Sequence, residues 1–263
     1  MNDSAAQGTL LVPIDVQGVS PAALETLVTI ARLLDRKLLG LVTEDARLRS
    51  AAALPFATEI ALSDARERSL LDARVLERHH RMSAETRRLL NELARRERIA
   101  LQFEDMIGPR WACAIARDGH LDIFVPARQR RHAPPLQTAF IPRAQPCAIQ
   151  RLGVLLPASD GAAQMLSIAS ALINAGLVGS TDVLATRSVS AAALSALRIP
   201  GHPLRVHSPV STDENALLQL IRQCPYTLLL VHADSLRPIA PEILELALEH
   251  SAAQVMVIHQ PAS

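Results

Sequence analysis

Two groups of residues in this sequence could do chemistry. Asp15 closes the apolar run LLVPID, residues 10–15. A carboxylate there has two readings: a ligand contact, or an Asx turn that holds the backbone of the following loop. Arg128, Arg130, Arg131 and His132 follow the apolar run LDIFVP as a basic cluster. Guanidinium forks pair bidentately with phosphate, so the cluster reads as an anion clamp. The plainer reading of the same charges is a solvated loop.

Other chemistries find little support. His79-His80 has no second ligand pair at metal spacing. His202 and His207 flank a short apolar run and read as surface or loop residues. Cys113, Cys147 and Cys224 form no C-x-x-C pair, and Cys113 and Cys224 fall on expected helices as packed thiols. No G-x-S-x-G, P-loop or H-E-x-x-H signature is present. Glu44 and Asp45 are adjacent rather than facing, which makes no acid–base pair. The reading is therefore non-catalytic, with no catalytic residue and no metal ligand.

Composition narrows the partners. Lys and Arg number 27 against 26 Asp and Glu, a net charge of +1. A surface built for nucleic acid or for a membrane would be more basic. Aromatic residues are 2% of the chain, too few for a base-stacking platform. Ten arginines between Arg66 and Arg98 interleave with glutamates, as expected of ion pairs along an exposed helix face. The odd cysteine count suits a reducing compartment, and the first ten residues, MNDSAAQGTL, do not read as a signal peptide. A cytoplasmic protein is expected.

These residues need elements to position them. Residues 10–15 read as a buried strand. Ser20-Pro21 is a helix-start signal, and Leu24, Leu27, Val28, Ala31 and Leu34 make one apolar helix face. Residues 38–43 are the next strand, so the chain opens as strand–helix–strand. Leu71, Val75, His79, Met82, Thr86, Leu89 and Leu93 mark a long amphipathic helix. Strands are expected at 99–103, 121–126 and 146–150, with a short helix at 111–117 and one or two helical turns within 133–145.

The second half repeats the plan. Strands are expected at 152–157, 182–186, 204–207, 227–232 and 255–258. Helices are expected after Gly161 and at 189–197, 214–223 and 241–250. The stretch from Gly161 to Thr181 carries no charge and is long enough to cross a bilayer. Gln164, Ser167, Ser170 and Asn174 recur in it as a polar stripe, which favours a helix packed on a sheet. Pairing Leu10 with Leu152 and Ile123 with Leu228 makes the second copy the shorter one. Its missing residues correspond to 46–98. Two α/β units follow, 1–150 with the long inserted helix and 151–263.

LLVPID, a short loop, the Ser-Pro helix start and then LGLVTED resemble the universal stress protein superfamily. The stretch EDARLRSAAALPFATEI, 44–60, is similar to an insert seen in that superfamily. The resemblance covers most of 10–126 and, more faintly, 152–260. It implies tandem doubly wound, Rossmann-like domains, each a five-stranded parallel sheet of order 3-2-1-4-5. It also implies a regulatory or stress-response role.

In a sheet of that order, ligands bind beyond the carboxyl ends of the first and fourth strands. That brings Pro13, Ile14 and Asp15 opposite Pro126, Ala127 and Arg128. The candidate nucleotide or anion crevice is Pro13, Asp15, Ala127, Arg128, Arg130 and Arg131. Nucleotide-binding relatives also carry a glycine-rich loop after the fourth strand, where phosphate meets bare backbone N–H groups. This chain has the aspartate but no glycine between Leu121 and Leu152, and none after Gly201. Pro134, Pro135, Pro238 and Pro241 remove further N–H donors. The second copy has Ala158-Ser159 in place of Asp15.

No cofactor is therefore expected. The alternative is an ATP- or AMP-binding switch, or a slow ATPase, that uses the first crevice with the arginines as clamp. An adenylyl-transfer enzyme ranks below both, for want of an H-x-G-H or S-G-G-x-D-S signature. The expected partner is another protein, of unknown identity. The two copies are expected to pair internally through 147–150 and 255–258 as a pseudo-dimer, with a homodimer also possible.

Overall fold

The structure is a computed structural model. It describes residues 8–14, 19–44, 50, 54, 58–60, 67–69, 72–117, 121–127, 147–157, 161–185, 194–195, 197–208, 210–211 and 213–259. The first half of the chain contributes β1 (Thr9–Ile14), α1 (Pro21–Leu33), β2 (Lys37–Glu44), the hairpin β3 (Thr58–Ile60) and β4 (Glu67–Ser69), and α2 (Asp72–Glu97). It continues with β5 (Leu101–Ile107), α3 (Arg110–Arg117) and β6 (Asp122–Val125). The second half contributes β7 (Ile149–Leu156), α4 (Ala162–Asn174), β8 (Val178–Ala185), β9 (Leu204–His207) and α5 (Glu214–Arg222). It ends with β10 (Leu228–His232), α6 (Ala233–Leu236), α7 (Pro241–His250) and β11 (Gln254–Ile258).

Apart from the β3–β4 hairpin, the strands form one nine-stranded sheet, in the order β5-β2-β1-β6-β11-β10-β7-β8-β9. An α/β, Rossmann-like architecture is what the strand–helix alternation led us to expect. Two separate five-stranded sheets are not what forms. The second half shows the full order 3-2-1-4-5, as β9-β8-β7-β10-β11, while the first half stops at 3-2-1-4. The segment expected as its fifth strand runs unbroken into the next one: Ile149 to Leu156 is a single strand. The boundary expected at Gln150/Arg151 falls inside it. β6 is buried along its whole length and needs a partner on its outer side. β11 fills that place, antiparallel, with Val255 opposite Val125 and Val257 opposite Ile123. Internal pairing of the halves thus uses 255–258 as expected, but its partner is β6 rather than 147–150.

Every other pairing in the large sheet is parallel. The single antiparallel joint reverses the sheet's direction. The amino ends of β1, β2 and β6 therefore share an edge with the carboxyl ends of β7, β10 and β11.

Near-continuous apolar strands imply burial on both faces. One face packs Leu10, Val12, Phe124, Leu152, Val154 and Leu230 against the helix layer of α1, α2 and α4. The other packs Leu11, Leu41, Ile123, Leu155 and Leu229 against α3, α5 and α7. In α1, Pro21 takes the first helical position as expected, whereas Ser20 makes no side-chain cap. In α2 the buried stripe is Ser83, Thr86, Leu90, Leu93 and Ala94, with Leu89 half-buried beside it. On its exposed side, Arg81 bonds Glu77 at 2.8 Å and Arg87 pairs with Asp105 of β5. α4 ends at Asn174, and the uncharged stretch continues as β8. Ser167 and Asn174 of its polar stripe are exposed. Among the described residues, no helix is long and apolar enough to cross a membrane.

Some expectations lie outside the described residues: the helical turns in 133–145, most of 44–60 and most of 189–197.

Candidate functional site

The first crevice opens where β1 and β6 end. The two strands are neighbours, Leu10 opposite Asp122 and Leu11 opposite Ile123. Pro13 and Pro126 are both buried there, and Ala127 is half-buried. Thr43, at the end of β2, donates its hydroxyl to the Ile14 carbonyl at 3.3 Å. The structure thus brings Pro13 and Ala127 to the same end of adjacent strands. Asp15, Arg128, Arg130 and Arg131 lie outside the described residues. The described wall is apolar and proline-rich.

The second half has its own crevice, where β7 and β10 end, on the opposite edge of the sheet. Here the chemistry is denser. His232 closes β10 and is 1% exposed. Its Nδ1 accepts the backbone N–H of Asp234 at 3.3 Å, which caps α6. Asp234 Oδ2 lies 3.4 Å from the same nitrogen and is held in turn by Arg237. The ring's other nitrogen, Nε2, is buried with no hydrogen-bond partner. It stands against Gly161, the N-cap of α4: a Cβ at Gly161 would fall 2.2 Å from Nε2. Only glycine leaves room for the ring.

Around His232 the two halves interlock. Asp122, at the start of β6, is 4% exposed. Its Oδ1 accepts the His259 backbone N–H at 2.9 Å, and Arg36 Nη2 lies 3.2 Å from its Oδ2. Burial pushes the Asp122 carboxyl above the usual range, opposed by the His259 N–H, Arg36 and His232. Gln164, in the first turn of α4, donates to the His259 carbonyl at 3.1 Å, while its Oε1 is buried without a partner.

A matching tie crosses the other face. Glu245 of α7 is buried and lies 3.5 Å from Arg110 Nε. It accepts the Trp111 backbone N–H, capping the first turn of α3 from the opposite half. Burial raises the Glu245 carboxyl, opposed by the Trp111 N–H and Arg110.

No protein-family model matches this chain, and no curated protein sequence matches it.

Two further features complete the map. On β7 and β8, Arg151 Nε bonds the buried Asp182 at 2.7 Å, His207 Nε2 lies 3.6 Å from its other oxygen, and the guanidinium stacks on Tyr226. A cavity of about 540 Å³ lies at the amino ends of β1, β2 and β5, bordered by Thr9, Lys37, Leu39, Leu101 and Gln102. Among the described residues, no group of three His, Cys, Asp or Glu side chains could hold a metal ion.

Sequence reading missed His232, Asp122 and Glu245. Two signals were available. A histidine ends the most apolar run, TLLLVH, and an aspartate is the second residue of LDIFVP. Parallel sheets place ligand chemistry at the carboxyl ends of their strands, where His232 stands; Asp122, at the amino end of β6, is marked instead by being a charge in an apolar run. Glu245 had no such signal, because nothing in a helical pattern says that its carboxylate meets α3.

Proposed function

We propose that this chain is a non-catalytic regulatory or stress-response protein of the universal stress type, and that its first crevice does not hold ATP in that superfamily's usual way. The observation that carries this reading is the pair of buried prolines, Pro13 on β1 and Pro126 after β6, walling the first crevice. Proline has no backbone N–H, and no glycine follows until Gly153. A triphosphate needs a cradle of bare N–H groups at this place. The sheet order supports the resemblance, 3-2-1-4 in one half and 3-2-1-4-5 in the other.

The role left to such a chain is interaction. Two halves that bury each other's inner edge form a paired unit within one polypeptide, which takes a protein partner or a second copy on its outer surfaces. Calorimetric titration of ATP and of AMP into the full chain tests the reading. Little or no heat is expected at micromolar concentrations. Micromolar binding lost in both Asp15→Ala and Arg130→Ala would establish the nucleotide switch instead.

A further inference from the structure

We propose that the cavity at the amino ends of β1, β2 and β5 binds a zwitterion the size of a dipeptide, with its carboxylate toward Lys37 and its ammonium toward Glu104. The cavity lies at the other end of β1 from the first crevice, and its ligand is independent of the reading given to that crevice.

The fold itself opens this cavity. β1, β2 and β5 are parallel strands of six to eight residues, about 20–26 Å long. On the face that carries Leu11, Leu39 and Leu41, the helix packed over β1 and β2 is α3. Its eight residues reach only about 12 Å. α3 follows β5 directly, so it starts at the carboxyl ends of these strands. Their amino ends lie beyond it, and there the cavity of about 540 Å³ opens. Small-molecule clefts run from roughly 300 to 1,000 Å³.

Strand alternation decides what lines it. Thr9 shares a face with Leu11, Lys37 with Leu39, and Gln102 and Glu104 with Met106, which packs on the same core. Register sets their order. Thr9 lies opposite Lys37, and Leu121 borders the same end of the cavity. Further along, Leu39 lies opposite Gln102, and beyond them Leu41 lies opposite Glu104. A cation and a hydroxyl thus stand at one end, an amide beside a buried leucine in the middle, and a carboxylate at the far end. Among the described residues, no side-chain hydrogen bond or ion pair engages Thr9, Lys37 or Gln102. Glu104 has an interaction of its own, and a carboxylate has acceptor sites for an ammonium besides.

These groups select the ligand. Lys37 and Thr9 are donors and call for a carboxylate. Leu39 and Leu121 take an aliphatic side chain next to it. Gln102 offers both a donor and an acceptor, the complement of a peptide unit. Lys37 neighbours Ala100, and Glu104 lies four residues further along β5, about 13 Å away. A charge contact of about 3 Å at each end leaves about 7 Å. Two extended residues span about 7 Å.

The test titrates alanyl-leucine into the full-length protein and follows backbone amide signals by NMR. The signals of Thr9, Lys37 and Gln102 should move saturably, while that of Thr43, at the other end of β2, stays still. Lys37 and Gln102 are exposed, so Lys37→Met and Gln102→Ala leave the core intact. Lys37→Met should bind the dipeptide about fivefold more weakly or worse, as should wild type with alanyl-leucinamide, which lacks the carboxylate. N-acetyl-alanyl-leucine, which lacks the ammonium, should lose about threefold or more. Gln102→Ala should weaken binding as well. Signals unmoved at millimolar excess overturn the proposal. So does undiminished affinity in Lys37→Met, or for the amidated or acetylated dipeptide. None of these outcomes bears on ATP at the first crevice, which calorimetry reads separately.

Discussion

Asp122 Oδ1 accepts the His259 backbone N–H at 2.9 Å, so the strand that closes the first half caps the strand that closes the second. The favour is returned on the other face, where Glu245 of the second half caps α3 of the first. Each half thus supplies a buried carboxylate to the other, and each carboxylate has an arginine beside it.

Asp122→Ala removes one of these ties. It leaves the His259 N–H without its acceptor and Arg36 without its carboxylate. A loss of about 2–3 kcal/mol in unfolding free energy is expected, below the full cost of breaking a buried pair because Arg36 is partly exposed. Asp122→Asn keeps an acceptor and should lose less. Urea denaturation measures both; an unchanged midpoint in the alanine variant would show that the contact carries no weight.

Glu245 makes a prediction in pH. Its folded carboxyl is raised, chiefly by burial. The unfolded chain ionises in the usual range, near about 4.3. Between that value and the raised folded one, the unfolded state releases its proton first. The stabilising contribution is therefore full below the ordinary value and is lost as pH rises through the folded one. Glu245→Gln has no such titration. The stability difference between wild type and Glu245→Gln should favour wild type more at pH 4 than at pH 7. A difference that stays flat, or grows with pH, would contradict the burial argument.

The joined sheet predicts one unfolding event. The chain holds one Trp and one Tyr, and they fall in different halves. Trp111 reports on the first and Tyr226 on the second, both buried. Their denaturation curves should coincide, as for a single cooperative unit. Phe124→Ala, which empties a fully buried site in β6, should shift both probes together by about 3–5 kcal/mol. Separated midpoints would mean that the halves fold independently.

The thiols give a simple check on burial. Cys113 and Cys224 are buried, and burial raises both, Cys224 to about 11. Thiolate is the reactive form. At pH 8 a thiol reagent should modify Cys147 in the native protein, and the other two on unfolding. Rapid native labelling of Cys224 would contradict its packing.

Much of the fold was legible in the sequence because buried parallel strands read as apolar runs. LLVPID, LDIFVP and TLLLVH each mark a strand within a residue or two. Edge and strand-start positions were harder. β5 runs to Ile107, past the expected end at 103, because Gln102, Glu104 and Asp105 interrupt its apolar pattern. β8 begins four residues early through Gly179 and Ser180. The sheet's joint was hidden for a different reason. Whether β6 pairs with a fifth strand of its own or with β11 depends on which apolar edge arrives, and both candidates read as strands. Of the expected crevice, Pro13 and Ala127 were placed at neighbouring strand ends. The polar cluster at His232 depends on a contact with Gly161, 71 positions away in the chain, which no local pattern encodes.

The one antiparallel joint has a lasting consequence. The two crevices look away from each other, like sockets on opposite sides of a wall. A molecule reaching one would approach from the opposite edge of the sheet to a molecule reaching the other. Any message between them must travel through the wall, and β6 with β11 is the course of bricks that both sides share.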